Sequence, residues 1–155
     1  MTAFQFFLRP ATLADADRLF SWRNDPVTLL NSRSTAAVPR EDHDRWVQFN
    51  VLLGQPEHAV IIAEAGQGNL GVVRFDAAKD DLMMYEVSIT IAPEHRGHGW
   101  ARPILAEACG YFSDFAISAE VRHDNIASRK LFERCGFDEI GRSDGFLQYR
   151  KEPMT

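Results

Sequence analysis

The sequence predicts an α/β (α+β) domain, a mixed, mostly antiparallel sheet flanked by helices in the order βααβββαβαββ. Three observations carry this. The run Met84 to Ile91, MYEVSITI, alternates Tyr85, Val87, Ile89 and Ile91 against Glu86, Ser88 and Thr90, the period of a half-buried strand. A glycine-containing loop, a helical pattern and a second strand-like run, FAISAEV (Phe115 to Val121), follow it. A strand–helix–strand unit of that length implies a parallel crossover. The remaining strand signals come in neighbouring pairs, which read as antiparallel hairpins.

Taken in order, Phe4 to Leu8 is short and aromatic and reads as a first strand, stopped by Pro10. Thr12 then caps a helix carrying Leu13, Ala16, Leu19, Phe20 and Arg23. Asn31 to Pro39, NSRSTAAVP, is a polar connection to a second helix with Asp42, Trp46, Phe49, Val51 and Leu52 at roughly helical spacing. HAVIIA (His58 to Ala63) and LGVVRF (Leu70 to Phe75) form a hairpin over a loop of moderate length, AGQGN. Beyond the glycine loop, Trp100, Ile104, Leu105, Ala108, Cys109 and Phe112 recur at helix spacing, with Pro103 near the first turn, where a missing N–H costs little. Asp124 or Asn125 caps a last helix that buries Ile126, Leu131 and Phe132 and ends at Gly136. Phe137 to Ile140 and Phe146 to Arg150 close the chain as a hairpin.

A length of 155 residues suits one domain spanning 1–155, large enough to bury a core without staples. Seventeen basic against 22 acidic residues, net −5, provide no overall field for nucleic acid or anionic membrane. Cys109 and Cys135 lie in apolar helical patterns without a metal-ligand partner at short spacing, and read as reduced, buried thiols. No apolar run approaches a membrane span, and no secretory leader pattern is visible. The expectation is a cytoplasmic enzyme or binding domain whose partner is a small molecule. A homodimer is left open.

The stretch Ala92 to Leu105, APEHRGHGWARPIL, carries the strongest functional signal. Gly97 and Gly99 stand between a β-branched strand and a helix, beside Arg96, His98 and Arg102. A helix N-terminus presents free N–H groups and the positive end of its dipole, and glycines let a phosphate approach them closely. The loop is therefore suited to a pyrophosphate. It is neither a Walker loop, lacking Gly-Lys-Ser/Thr, nor G-x-G-x-x-G, since Arg102 stands where the third glycine belongs.

With its surroundings, the stretch resembles the Gcn5-related N-acetyltransferase (GNAT) family. That family's Arg/Gln-x-x-Gly-x-Gly/Ala signature is met by Arg96, Gly99 and Ala101, and its Asn-led helix ending in Gly-Phe by Asn125, Ser128, Gly136 and Phe137 in NIASRKLFERCGF. The resemblance runs from about Phe7 to Arg150. It implies a single GNAT-like domain using acetyl-CoA. The pyrophosphate would sit on the loop of Arg96, Gly97, His98, Gly99, Trp100 and Ala101. The pantetheine arm would run beside Ile89 and Ile91, touching Asn125 and Ser128, where the strand splays from its parallel neighbour.

Direct acyl transfer needs a neutral amine, a donor for the oxyanion and a fate for the thiolate. Glu86, on the polar face of the central strand, is the leading base; Glu120 is its rival, and mutual repulsion across a cleft would raise one carboxyl's pKa. His43 is a further candidate, though a surface helical histidine is its plainer reading. Many family members carry a Tyr in the last helix that protonates the thiolate; Phe132 stands there in this chain, which leaves Ser88 or Tyr149 for the role, or no side-chain acid. Nothing suggests an acyl-enzyme.

LFSWRNDPVT (Leu19 to Thr28), GVVRFD and AEVRHDNIASRKLF resemble the branch containing ribosomal-protein N-terminal and nucleotide-linked amino-sugar acetyltransferases. The resemblance implies an amine acceptor, best matched by an amino sugar, at a site shaped by Trp22, Arg23, Asn24 and Trp46, with Arg23 for phosphate. Three alternatives stand beside it: an acetylase of protein N-termini, a non-catalytic acyl-CoA-binding module to which Phe132 lends support, and a nucleotide-binding domain unrelated to CoA.

Overall fold

The alternating run becomes β4 (Met84–Ile91) with the predicted bounds and stands mid-sheet in the computed structural model, which describes residues 4–54 and 56–154. The other strands are β1 (Phe7–Pro10), β2 (His58–Ala65), β3 (Gly68–Ala77), β5 (Ala116–Arg122), β6 (Asp138–Ser143) and β7 (Phe146–Lys151). Their order across the sheet is β1-β2-β3-β4-β5-β7-β6. Every pairing is antiparallel except β4 with β5, the parallel crossover expected from the sequence. The helices are α1 (Ala16–Arg23), α2 (Pro26–Leu30), α3 (Arg40–Val47), α4 (Ala101–Gly110) and α5 (Ile126–Arg134). None is long and apolar enough to cross a membrane, among the described residues.

Five details differ from expectation. The first strand is shifted to Phe7–Pro10, and Pro10 ends it on the sheet edge, where a missing N–H removes no ladder bond. A single turn of 3-10 helix at Leu13–Asp15 precedes α1. The hairpin of β2 and β3 is longer than its apolar runs and closes over only Gly66 and Gln67. The order also gains a short helix: α2 has Pro26 in its first turn and Asp25 accepting from the amides of Val27 and Thr28. None of its five residues is buried, so it leaves no apolar stripe to read. The second predicted helix is regular only as α3 and then widens into a π-helical stretch, Gln48–Leu52, which leaves Phe49 58% exposed.

The helices divide unequally between the two sheet faces. On one face α4 and α5 cover a continuous core that includes Phe75, Tyr85, Ile104, Ile117, Phe132 and Tyr149. On the other, Leu19 and Trp22 of α1, with Trp46 of α3, pack onto Val60, Ile62 and Val72 of β2 and β3. That second cover does not reach β4, so Tyr85 and Val87 are buried while Glu86 and Ser88 stay open.

The entry to α1 is held by charge. Asp15, 1% exposed, accepts from Arg9 Nη1 (2.8 Å) and Nη2 (2.9 Å) and from the Thr12 amide (2.8 Å), and also meets Arg18. Arg9 reaches on to Glu64 and Asn69, joining β1 to the β2–β3 hairpin. The Arg9 hydrogen bonds hold the Asp15 carboxyl below its ordinary range, against the opposing effect of burial. A depressed carboxyl stabilises the fold above its unfolded pKa and loses that contribution as pH falls through the folded one. Asp15→Ala should therefore cost about 3 kcal/mol at neutral pH, as one partner of a buried pair is removed. In urea titrations the wild-type advantage should persist down to about pH 4, the unfolded carboxylate value, and shrink below it.

Candidate active site

The β4–β5 ladder has three pairs, Met84 with Ala116, Tyr85 with Ile117 and Glu86 with Ser118. Beyond them β4 stays paired to β3 as far as Ile91 and β5 to β7 as far as Arg122, so the two strands diverge with their facing edges unpaired. Two cavities open on this gap.

The first, about 470 Å³, runs between the strand edges and the glycine loop. Ile89 and Ile91 form one side, Asn125 and Ser128 of the α5 start the other, and Gly97, Gly99, Trp100 and Ala101 the end. Gly97 and Gly99 have φ of +80° and +82°, the left-handed region that favours glycine, and a Cβ on Gly99 would also press on Phe4 at 3.3 Å. The amides from Gly97 to Arg102 make no hydrogen bond among the described residues. They form a ready cradle for an anion at the start of α4.

Not every loop residue plays the part its charge suggests. The Arg96 guanidinium is engaged internally: Nε donates to the Ile91 carbonyl (3.0 Å), Nη1 to Asp25 (2.9 Å) and Nη2 to Thr28 Oγ1 (3.2 Å). It ties the loop to the end of β4 and to α2. His98 is exposed and lies outside both cavity walls. The Trp100 side chain is buried edge-on against Phe4 and Phe6. The Asn125 side chain caps α5 by accepting from the Ser128 amide at 3.3 Å.

The second cavity, about 520 Å³, lies on the sheet face that α1 and α3 leave open. Cross-strand register sets its floor: Val72 faces Thr90, Arg74 faces Ser88 and Asp76 faces Glu86. Trp22, Arg23, His43 and Trp46 contribute the helical wall. The two cavities meet at Ser88, Thr90 and Glu120, with Thr28, Asn31 and Ser32 above them. Asn24 stays outside the lining; its side chain exchanges hydrogen bonds with the Val38 backbone.

Both carboxylates border this cavity, and their surroundings push them apart. Glu120 accepts from Arg33 Nε and Nη2, both at 2.5 Å, and from Gln148 at 3.0 Å. The Arg33 bonds lower its pKa and keep it ionised. Glu86 has no hydrogen-bonded partner among the described residues and sits at the foot of the groove. Desolvation, then the charges of Glu120 and Asp76, raise its pKa above the ordinary carboxylate value, against Arg74 and Arg33. Of the two carboxylates, only Glu86 lacks a hydrogen-bonded partner among the described residues.

The remaining candidates differ in their surroundings. His43 is not a surface residue: it is 3% exposed, stacks on Trp46, and its Nε2 meets the Ala16 carbonyl at 2.8 Å. Against a carbonyl that nitrogen must donate, so His43 fastens α3 to α1. Tyr149 is fully buried, its hydroxyl donates to Glu133 at 2.9 Å, and it lines neither cavity. Ser88 is exposed at the junction. Both cysteines are free and buried; burial pushes the Cys109 thiol up to about 12 and raises Cys135 as well, so neither is a ready nucleophile. No group of metal-ligating side chains occurs among the described residues.

Sequence reasoning missed Arg33, Arg74 and Asp76. Arg33 gave no local sign, because Glu120 is 87 residues away. Arg74 and Asp76 did leave one: two charges two apart in an otherwise apolar strand must share a face, and that face must be wet or paired.

Residues 5–138 match the family model described as an acetyltransferase (GNAT) domain. The N-acetyltransferase 9-like protein of Nematostella vectensis is 28% identical over 162 residues, covering 93% of this chain and 80% of that protein. N-alpha-acetyltransferase RimI of Mycobacterium tuberculosis is 30% identical over 104 residues, covering 63% of this chain and 65% of that one. Among solved structures, spermidine N-acetyltransferase from Vibrio cholerae in complex with CoA and spermine superposes with a TM-score of 0.80 at 21% identity, over 94% of this chain and 93% of that chain.

The internal engagement of Arg96 makes a direct expectation. Arg96→Ala should detach the loop from α2 and speed hydrogen exchange at the bonded amides beside the brace, Thr28 and His95, by about tenfold or more, with a modest fall in melting temperature. Unchanged exchange in those amides would show that the glycine loop is held by other means.

Proposed function

The chain belongs to the GNAT acetyltransferase family, whose acyl donor is acetyl-CoA, and from that premise we propose that it moves the acetyl group directly onto the primary amine of a small molecule. The observation that carries this reading is the meeting of the two cavities at Ser88 and Thr90, beside a carboxyl with a raised pKa. The first cavity fits the donor. Its unpartnered amides from Gly97 to Ala101 suit the diphosphate, and the open edge of β4 at Ile89 suits the amide groups of an extended arm, by the logic of an added strand. Asn125 and Ser128 border that arm from α5. Arg96, engaged with the Ile91 carbonyl, acts by holding the loop and strand end in place, while His98 stays at the surface outside the groove.

When bound, acetyl-CoA supplies a thioester carbonyl open to attack by an amine. Glu86 receives the proton that the attacking amine must shed, directly or through water. Unpaired amides on the diverging edge of β4 provide donors for the carbonyl oxygen. Ser88 is the side chain placed to return a proton toward the departing sulfur, since Phe132 offers none and Tyr149 is sealed in the core. The acceptor is an amino sugar or comparable amine; indole walls at Trp22 and Trp46 support it. A second reading, acetylation of protein N-termini, draws on the likeness to RimI.

The test is release of CoA thiol from acetyl-CoA with panels of amino sugars, peptides and polyamines. Turnover with small amines is expected; binding of CoA with no turnover on any amine would overturn it in favour of a binding module. Glu86→Gln should lower kcat at neutral pH by at least about tenfold. In wild type, kcat/KM should fall as pH drops through the raised Glu86 pKa, an acidic limb lying above the ordinary carboxylate range and missing from the variant.

A further inference from the structure

Six ionised side chains line the second cavity: Arg23, Arg33, Arg74, Asp76, Glu86 and Glu120. Four of them pair off. Arg33 closes on Glu120 through two bonds of 2.5 Å, and Arg74 Nη2 donates to Asp76 at 2.8 Å. Arg23 and Glu86 remain, neither with an ion-pair partner among the described residues. Among the described residues, the one side-chain hydrogen bond of Arg23 goes to a neutral hydroxyl, Ser32 Oγ, at 3.4 Å. Its place in the last turn of α1 suits a cation but does not neutralise it. A half-buried guanidinium without a counter-charge is costly, and two unpartnered charges of opposite sign in one cavity are matched by a ligand bearing both.

We propose that the acceptor is a zwitterion, an amine that also carries a carboxylate or phosphate, with Arg23 binding the anionic oxygens and Glu86 facing the amine. This deepens the amine-acetylation reading and rests on it. Arg23 is a specificity residue here: its planar fork of donors suits two anionic oxygens at once. Burial, then the charge of Arg74, disfavours the ionised Arg23, which an incoming anion would relieve. Arg23 and Glu86 line the same cavity, with Arg74 also in its lining. A polyamine would bring a second ammonium against Arg23 and be rejected by repulsion. The anion's attraction is local, since the chain as a whole carries net −5.

The experiment compares amines matched in skeleton: glucosamine with glucosamine 6-phosphate, alaninamide with alanine, and spermidine as the polycation. Binding is read with CoA present from tryptophan fluorescence, Trp22 and Trp46 being cavity residues, and turnover from thiol release. The anionic member of at least one pair should bind about tenfold tighter and be acetylated with a correspondingly higher kcat/KM; the phosphate and carboxylate arms identify which anion is preferred. Arg23→Gln should bring that ratio close to one, and Arg23→Lys should keep part of it. Equal or better binding of the neutral members or spermidine by wild type overturns the proposal. So does a preference that survives in a folded Arg23→Gln variant. If no amine releases thiol while the anionic members still bind through Arg23, the zwitterion site stands and acetyl transfer falls. If Arg23→Gln does not fold, the wild-type binding ratios decide.

Discussion

β4 and β5 share three pairs and then part, and the two cavities described above both open on that gap. The divergence is inexpensive because each strand keeps a full partner on its other side, β3 for β4 and β7 for β5. It is also fixed in place, since the parallel pairing obliges the chain to cross over through α4. The helix start therefore lies beyond the end of β4, at the mouth of the gap. Ligands of open α/β sheets bind beyond the carboxyl ends of strands for this same geometric reason. One departure from regular pairing thus brings together unpaired strand edge, unpaired helix amides and an uncovered sheet face.

The glycine loop shows how a charged motif can divide its labour. The N–H groups it leaves open to an anion are those of the backbone around Gly97 and Gly99, both at positive φ. The arginine beside them serves as a brace, reaching Ile91, Asp25 and Thr28. A cradle made of amides needs stiffness more than added charge, because donors that wander lose their alignment on the ligand. The short helix α2, which carries Thr28 and is capped by Asp25, has its place explained by this brace.

Electrostatic assignment in the second cavity follows from who has a partner. Glu86 and Glu120 are chemically alike and border one space, yet Arg33 and Gln148 lower one while desolvation and the neighbouring carboxylates raise the other. Two like groups driven apart in pKa is the usual way a fold separates a structural carboxylate from a proton acceptor. Arg23 and Arg74 differ by the same rule, one bonded among the described residues only to the neutral Ser32 hydroxyl and one paired with Asp76.

By itself the sequence determined whatever depends on near neighbours: the alternation of β4, the left-handed glycines, the Asn125 cap, the Gly136 stop, and the two buried cysteines. Strand period, positive φ and side-chain capping act over one to four residues, so they leave a readable pattern. The tertiary structure alone decided which charges have partners, because Arg33 and Glu120 are 87 residues apart and Arg96 and Asp25 71. It decided that His43 is a buried fastener and that Tyr149 is sealed beneath Glu133. It also decided that α2 exists at all, since a five-residue helix without a buried face carries no period. Burial and pairing are properties of docked helices and sheets, and a carboxylate on a strand reads the same in sequence whether an arginine waits opposite it or not.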